Sequence, residues 1–312
     1  MKWRSWLNVA GNSEEQLGQA IGTGADVVVV DLEDAVPLAE KPRARELAAQ
    51  WLTAHRRNLL EQRRMGRWVR INALDSGLAR DDLVAIMPSA PDGIVLPKSA
   101  GPETVRQLAS ELYELEQVSG VPAHATLIVP IAGETPRGAL GIAAYCESTH
   151  QRLHGLSWGK PSLGTLLGGS GTHREAQGPS DVASFVRAQA VLAAHAAEVM
   201  AIDAAFNDIE NTRALRKAAR RARSDGFVGM FANHPGQIEA INAAFSPSSE
   251  ELARARDIVA AFETNPNHGS LPLHGHLVTR SDLVQARRTI AMFEAVSPSG
   301  EDGRRPPMLL PA

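Results

Sequence analysis

Three carboxylate side chains follow directly on a run of four valines near the start of the chain. The run Val27–Val30 leads into Asp31, Glu33 and Asp34. Four successive valines are too few to cross a membrane and too β-branched to favour a helix, so they indicate a strand buried on both faces. This much negative charge beside a buried strand requires a cation, a metal ion or a hydrogen-bond network to stabilise it.

The elements that must position these carboxylates are short apolar strands that alternate with helical patterns. Eight strand–helix units succeed one another over roughly 240 residues, which is the pattern of a (β/α)8 TIM barrel. A doubly wound open sheet is the alternative, but no Gly-x-Gly-x-x-Gly fingerprint follows the first strand. We therefore predict an α/β protein with a TIM-barrel domain over residues 1–245.

Beyond this domain the pattern changes to helices alone. Two helices are predicted over Ser249–Glu263 and Thr279–Ala295, separated by a Gly/Pro/His-rich link, Asn265–His276. We expect residues 246–296 to form a C-terminal helical extension, a lid that packs on a neighbouring subunit. The tail 297–312 is rich in proline, glycine and charge, so we expect a flexible arm there.

Polar residues stand where the barrel strands are expected to end, and barrel enzymes carry their chemistry at those ends. Carboxylate oxygens are suited to a divalent metal, and Arg70 is suited to an anionic substrate. Glu134 is the favoured metal ligand because a helix begins just after it, at Thr135-Pro136. The strand-end residues are Glu33, Asp34, Arg70, Asn72, Lys98, Glu134, Trp158, Ser162, Asp203, Asn233 and His234.

Each of these residues also has a structural alternative. A carboxylate at the mouth can form a purely structural ion pair, for example Glu33 or Asp34 with Arg70. Arg70 from the adjacent strand is the expected partner of the three carboxylates, with Lys41 covering the loop. Lys98 can be a solvated loop lysine. The lone His234 before a proline can make a structural hydrogen bond instead of taking part in catalysis.

The net charge, the cysteine content and the N-terminal sequence limit the classes of protein to which this chain can belong. The chain has 312 residues and a formal net charge of −3, which gives no overall case for binding nucleic acid or a membrane surface. The basic segment Arg213–Arg223 is typical of a helix with a solvated polar face. The single cysteine, Cys146, excludes an internal disulfide, and the N-terminus lacks a signal-peptide core, so a cytoplasmic protein is expected.

Several segments resemble the citrate lyase beta-subunit-like proteins of the HpcH/HpaI aldolase superfamily, from about Arg4 to Arg287. The segments that carry the resemblance are Arg4-Ser5, Asp31-Leu32-Glu33-Asp34-Ala35-Val36, Ala39-Glu40-Lys41, Ala44-Arg45, Val69-Arg70-Ile71-Asn72, Gly93-Ile94-Val95-Leu96-Pro97-Lys98, Glu134-Thr135, His234-Pro235-Gly236-Gln237 and Ala244-Phe245-Ser246-Pro247-Ser248.

The resemblance implies a TIM barrel that assembles into a homotrimer or homohexamer and cleaves carbon–carbon bonds in 3-hydroxy acids, often as coenzyme A thioesters. It implies a Mg²⁺ ion that chelates a keto acid, with Glu134 as the first metal ligand. It also implies Arg70 as the clamp on the substrate carboxylate and Lys41 as a contact to the thioester or its phosphates. Lys98 would bind substrate too, and Asn233 with His234 would line the acyl side.

The sequence departs from the family pattern at two positions. The second metal ligand of the family, an Asp in Gly-x-x-Asp-Leu, corresponds to Ser162, and a hydroxyl is a weaker Mg²⁺ ligand than a carboxylate. In the extension the family Asp of Met-Val-Asp, a catalytic acid or base, corresponds to Thr279. Either Asp34 or Glu33 replaces the missing metal ligand, or this chain no longer carries out the lyase reaction as its relatives do.

Three functions are compatible with these residues. The first is a metal-dependent lyase of the citryl-CoA or malyl-CoA type with altered metal chelation. The second is a catalytically altered lyase scaffold that binds a keto acid or acyl-CoA without efficient turnover. The third is an aldolase that acts on free hydroxy acids, without coenzyme A.

Overall fold

Eight parallel strands close into a barrel in a computed structural model that describes residues 3–56, 65–147, 150–159, 163, 166–168 and 180–296. Each strand pairs with the next along the chain, and the eighth pairs with the first. The predicted TIM barrel is confirmed, and the open doubly wound sheet is excluded. The strands are β1 Ser5–Ala10, β2 Val27–Asp31, β3 Gly66–Arg70, β4 Gly93–Ser99, β5 Leu127–Ala132, β6 Gly155–Trp158, β7 Met200–Asp203 and β8 Gly229–Ala232.

Helices connect the strands on the outside of the barrel. Their starts follow the capping signals in the sequence: the hydroxyl of Ser13 accepts a hydrogen bond from the Gln16 N–H, and that of Thr135 accepts one from the Gly138 N–H. The helices are α1 Glu14–Gln19, α2 Lys41–Arg56, α3 Ala79–Ile86, α4 Pro102–Ser119, α5 Pro136–Leu140, α6 Ala144–Glu147, α7 Asp181–Ala196, α8 Thr212–Ser224 and α9 Ile238–Ala244.

The valine run of β2 is buried on both faces, as predicted. Val27 and Val29 belong to the cluster inside the barrel, whereas Val28 and Val30 pack against the surrounding helices. Because side chains alternate along a strand, Asp31 faces inward with Val27 and Val29. The alternation therefore aims one of the three carboxylates into the barrel.

Aromatic rings fill the N-terminal end of the barrel. The rings of Trp6 and Trp68 lie 5.0 Å apart between centroids, and Phe231 packs 5.6 Å from Trp6. Gly93 is required beside them, because a Cβ at this position would lie 2.3 Å from a carbon of the Trp68 ring. A filled floor leaves the opposite end, where the strands terminate, as the open mouth.

The C-terminal extension has its own small core. It contains α10 (Ser249–Thr264) and α11 (Arg280–Val296), and its buried cluster includes Phe262 and Val278. The predicted link between the helices is a β-hairpin, β9 (Ser270–Leu273) and β10 (His276–Thr279), which corrects the expectation of helices alone. The backbone φ angles of the turn residues, His274 and Gly275, are both positive, as two-residue hairpin turns require.

The boundary between residues 245 and 246 remains a proposal, and the predicted flexible arm, 297–312, lies outside the described residues. Across the described part of the chain, no helix combines the length and apolar character needed to cross a membrane.

Candidate active site

Arg70 and Asp31 form the centre of the mouth. They are the last residues of β3 and β2 and lie opposite each other in the strand register. Arg70 Nε donates to Asp31 Oδ1 at 2.8 Å, and Nη2 donates to Oδ2. Among the described residues Nη1 has no hydrogen-bond partner. The guanidinium is thus fixed on one side and able to bind an anion with Nη1.

The charge of Arg70 is secured by its neighbours. Burial acts to lower its pKa, but the charge of Asp31, the hydrogen bonds to Asp31 and the charge of Glu33 together raise it. The group is therefore a permanent cation at the mouth.

Glu33 lies beside this pair, with only 3% of its surface exposed. One carboxylate oxygen is 3.6 Å from Arg70 Nε, and the other is 2.7 Å from Lys98 Nζ. Burial raises the pKa of Glu33 to about 7, although the charge of Arg70 and the ammonium of Lys98 act to lower it. Glu33 can therefore hold a proton near neutral pH.

Lys98 joins carboxylates from two other strands. Its ammonium pairs with Glu33 and lies 3.4 Å from Asp34 Oδ1, while its backbone N–H donates to Glu134 Oε2 at 2.6 Å. The backbone has a φ of 51° at an irregularity in the pairing of β4 with β5. A non-glycine residue in this conformation is strained, and such strain concentrates at functional sites. Lys98 is therefore an integral part of the mouth, and not a solvated loop lysine.

Glu134 follows β5 and is 5% exposed. Burial raises the pKa of its carboxyl group, against the lowering effects of the Lys98 N–H and of the charges of Arg70 and Lys98. The end of β6 lies directly against it: a Cβ on Gly159 would be 2.1 Å from Glu134 Cγ. Glycine at this position is thus what allows Glu134 its place.

The described residues contain no cluster of three or more acidic, histidine or cysteine side chains arranged to hold a metal ion. Ser162, which the resemblance matches to the second family ligand, lies outside those residues. Asp34, the predicted replacement, has a side chain that is 64% exposed. The charges of Asp34 and Glu134 both act to raise the pKa of Glu33, so the mouth carries mutually repelling negative charge of the kind that a divalent cation relieves.

Lys41, predicted to contact the substrate, has a different position. Its side chain is buried, and Nζ donates to the carbonyl oxygens of Leu32 and Glu33 and to Asn72 Oδ1, at 2.6, 2.7 and 2.8 Å. All three donors of the ammonium are used within the protein, so none remains for a thioester or a phosphate. We therefore assign Lys41 to the loop after β2 and not to the substrate.

Asn233 and His234 lie at the rim after β8, and both are exposed. Asn233 Oδ1 accepts from Asn8 Nδ2 at 3.0 Å, and its own amide donates to Asn207. His234 Nδ1 accepts from the Gly236 N–H and caps the short helical turn there. The structural hydrogen bond considered for His234 is present, and a contact of either residue to substrate stays a proposal.

Asp203 and Trp158 do not face the mouth, which corrects their inclusion among the residues there. Trp158 Nε1 donates to Asp203 Oδ1 at 2.6 Å, and Arg187 of α7 forms a salt bridge with Asp203 at 2.9 Å. Ile202, the neighbour of Asp203, belongs to the cluster inside the barrel, so alternation turns Asp203 outward. These residues attach α7 to the barrel wall.

Sequence reasoning matched Arg70 to the carboxylates that follow β2 but did not rank them as its partners. Asp31 is the main partner and Glu33 a more distant one, and the inward alternation from Val27 and Val29 is the signal that singles out Asp31. Asn8 was also missed; it follows the inward-facing Trp6 by two residues on β1.

Thr279 ends β10 in the extension. Its backbone N–H and its hydroxyl both donate to Asp282 Oδ2 at 2.7 Å, in the first turn of α11. Its hydroxyl is thus engaged in starting that helix.

The chain is similar to proteins of known family. The model of the HpcH/HpaI aldolase/citrate lyase family matches residues 4–235. A (3S)-malyl-CoA thioesterase of Cereibacter sphaeroides is 32% identical over 300 residues, 96% of this chain and 97% of the relative. A citrate lyase subunit beta-like protein of Mycobacterium tuberculosis is 33% identical over 281 residues, 90% of this chain and 92% of the relative.

A solved structure shares the architecture over nearly the whole chain. It is CitE of Mycobacterium tuberculosis in complex with magnesium, acetoacetate and coenzyme A, with a TM-score of 0.74 and 30% identity, and the similarity covers 94% of this chain and 98% of that one. The fold, the sequence matches and the acidic mouth agree: this chain belongs to the HpcH/HpaI aldolase/citrate lyase family.

Proposed function

We propose that this chain is a metal-dependent carbon–carbon lyase that acts on a 3-hydroxy acid or its coenzyme A thioester and releases a keto acid. The observation that carries the proposal is Arg70, fixed by Asp31 with Nη1 available for a substrate carboxylate, beside the buried carboxylates Glu33 and Glu134. Lyases are established in the family, and the relatives include a mouse mitochondrial citramalyl-CoA lyase.

A Mg²⁺ ion at the mouth would take one carboxylate oxygen from Glu134 and another from Asp34. The mutual repulsion of the mouth carboxylates supports this assignment, as do the magnesium complexes of the CitE relative. When bound, the ion would polarise the carbonyl of the keto acid and stabilise negative charge on its oxygen.

The chain's own residues would bind and orient the substrate. Arg70 would bind the carboxylate through Nη1, and its contact with Asp31 would keep that donor aimed across the mouth. Lys98 would hold Glu33 and Glu134 in place and add positive charge for the anionic substrate. Asn233 and His234 would line the acyl side at the rim, and the chain would assemble as a homotrimer or homohexamer.

The test is release of a keto acid from citryl-CoA, (3S)-malyl-CoA and citramalyl-CoA with and without Mg²⁺. We expect metal-dependent release that Glu134→Gln abolishes and that Arg70→Lys lowers at least ten-fold, since lysine cannot bind Asp31 and a carboxylate together as a fork. Arg67→Lys is the matched control on the same strand; Arg67 pairs with Asp92, away from the mouth, and should retain activity. Absence of keto-acid release with every divalent ion tested would contradict the proposal.

A second candidate is hydrolysis of the thioester, favoured by the 32% identity to the malyl-CoA thioesterase. It predicts release of free coenzyme A thiol without a keto acid. Ligand binding without either product would instead favour an altered scaffold that lacks efficient turnover. Turnover of free hydroxy acids without coenzyme A would indicate an aldolase.

A further inference from the structure

Lys41 is a buried cation that contacts the residues after β2 through their backbone carbonyl groups. It is the first residue of α2, and its ammonium lies between the carbonyl groups of Leu32 and Glu33 and the side chain of Asn72. Since each of its three donors has an acceptor, the ammonium is held at one point.

The two carbonyl groups that it binds belong to consecutive residues. Successive carbonyls of a regular strand point to opposite sides, so both can meet one ammonium only where the strand geometry has ended. The Leu32 N–H still donates to the Arg70 carbonyl at 2.8 Å, as a continuation of β2 would. The turn away from strand geometry therefore falls at Glu33. Its N–H donates to Asp31 Oδ1 and its carbonyl accepts from the Val36 N–H, and Lys41 is the donor that joins its carbonyl to that of Leu32.

A second layer holds Lys41 and its acceptors. Asn72 Nδ2 donates to the Leu32 carbonyl and to Asp82 Oδ2, at 3.0 and 2.7 Å. Arg45, one helical turn beyond Lys41, donates to the other oxygen of Asp82 at 2.7 Å. The two cations of α2 thus occupy the two ends of one buried network, and only Lys41 touches the segment after β2.

We propose that Lys41 is a positioning residue: through the carbonyls of Leu32 and Glu33 it sets the direction of the Glu33 side chain toward Arg70 and Lys98. The expected loss of turnover rests on the proposed function, whereas the expected displacement of the Glu33 side chain does not. Without the ammonium, the turn at Glu33 loses its shared donor, and the carboxylate loses the geometry that places it 2.7 Å from Lys98 Nζ.

The experiment compares Lys41→Met with Arg45→Met in the full-length protein. Both variants remove a partly or fully buried cation from the same helix and the same network, but only the first acts on Glu33. Crystal structures would report the distance from Glu33 to Lys98 Nζ. Calorimetric titration with oxaloacetate in the presence of Mg²⁺ would measure how tightly the mouth binds this keto acid. Both are ligands of a solved citrate lyase beta subunit of Mycobacterium tuberculosis.

For Lys41→Met we expect the Glu33–Lys98 distance to exceed 4 Å, oxaloacetate affinity to fall at least ten-fold, and kcat for any substrate turned over to fall more than KM rises. For Arg45→Met we expect the Glu33–Lys98 distance to stay below about 3.5 Å and the oxaloacetate affinity to stay within three-fold of the wild type. Equal losses in the two variants, or an intact Glu33–Lys98 pair in Lys41→Met, would overturn the proposal.

Lys41→Arg keeps the test decisive if Lys41→Met does not fold. A planar guanidinium keeps the charge but cannot place three donors at one point, so we expect a folded protein with a displaced Glu33 and at least five-fold weaker oxaloacetate binding. Wild-type geometry and binding in Lys41→Arg would overturn the proposal. If the wild type binds no oxaloacetate, the proposed function fails, while the position of Glu33 in the variant structures still decides the role of Lys41.

Discussion

Glu33 shows how the environment of one residue sets its chemistry. Burial raises its pKa to about 7, from 4.5 for a free side chain, in spite of Arg70 and Lys98. Because the folded state binds this proton more tightly than the unfolded state, the contribution of Glu33 to stability is greatest below pH 4.5. It falls as the pH rises through 7, by a total of about 3 kcal/mol.

We therefore expect Glu33→Gln to become more stable relative to the wild type as the pH rises from 5 to 8.5. The relative gain in the free energy of unfolding should be most of the roughly 3 kcal/mol that Glu33 loses. Urea unfolding of both proteins across this range measures the difference. Glu46→Gln, at an exposed position on α2, is the control for replacing a glutamate by its amide away from the mouth. Parallel pH profiles for Glu33→Gln and the wild type would contradict the assignment.

At the same scale, the sequence could predict which strand ends carry charge but not every partner. Arg70 and the carboxylates of β2 follow from their place after apolar runs. The sequence left two roles for Lys41, covering the loop after β2 or contacting the substrate, because a lysine at the start of a helix can turn inward or reach solvent. Only the acceptors that converge on its ammonium decide which.

Among the secondary-structure elements, the end of β6 determines whether the side chain of Glu134 can occupy the mouth. A Cβ at Gly159 would lie 2.1 Å from Glu134 Cγ, so Gly159→Ala must displace that side chain from the Lys98 N–H. We expect at least ten-fold weaker Mg²⁺-dependent oxaloacetate binding and a loss of stability of roughly 1–3 kcal/mol. Calorimetry and urea unfolding measure the two effects.

Gly18→Ala provides the comparison for this substitution. Gly18 lies in α1, and a Cβ there meets no atom within 4 Å. We expect unchanged binding and a gain in stability of roughly 0.5–1 kcal/mol, since alanine is the better helix former. Undiminished oxaloacetate binding by Gly159→Ala would show that Glu134 has room to move.

A buried ion pair connects α4 to the chain entering β6. Arg152 and Glu116 are 1% and 0% exposed, and Arg152 Nη1 and Nη2 donate to the two carboxylate oxygens at 2.7 and 2.6 Å. Burial opposes ionisation of Glu116, but the hydrogen bond from Arg152 and the backbone N–H groups of Thr126 and His124 lower its pKa. The stabilisation is therefore present at neutral pH and is lost as the pH falls through the lowered pKa.

We expect Arg152→Met to destabilise the protein by roughly 3–5 kcal/mol at pH 7, because it leaves a buried carboxylate without its cation. The loss should shrink as the pH falls below 4.5, and urea unfolding from pH 7 down to about pH 3 would show it. The exposed pair Arg106–Glu103 is the control, and Arg106→Met should cause no measurable change. A loss that grows in acid would contradict this account of the pair.

For the molecule as a whole, the order of strand–helix units was enough to predict the barrel, because eight such units in sequence close in few ways. The C-terminal extension was less predictable. The link between its helices is short and polar, and the hairpin there is stabilised by Leu271 and Val278 packing against α10 and α11 rather than by a strong strand pattern. Tertiary packing of this kind cannot be read from local sequence.

The extension also carries an exposed apolar side chain that bears on assembly. Leu277 of β10 is 70% exposed, while its neighbour Val278 is 3% exposed in the core of the extension. An exposed leucine on a two-stranded hairpin is suited to packing against another subunit, in line with the proposed homotrimer or homohexamer. We expect Leu277→Asp to lower the oligomer mass measured by sedimentation equilibrium without unfolding the barrel.

Val118→Asp, at an 80% exposed valine of α4, is the matched control and should leave the mass unchanged. Dissociation by Val118→Asp but not by Leu277→Asp would place the subunit contact on the barrel and contradict the assignment to the hairpin.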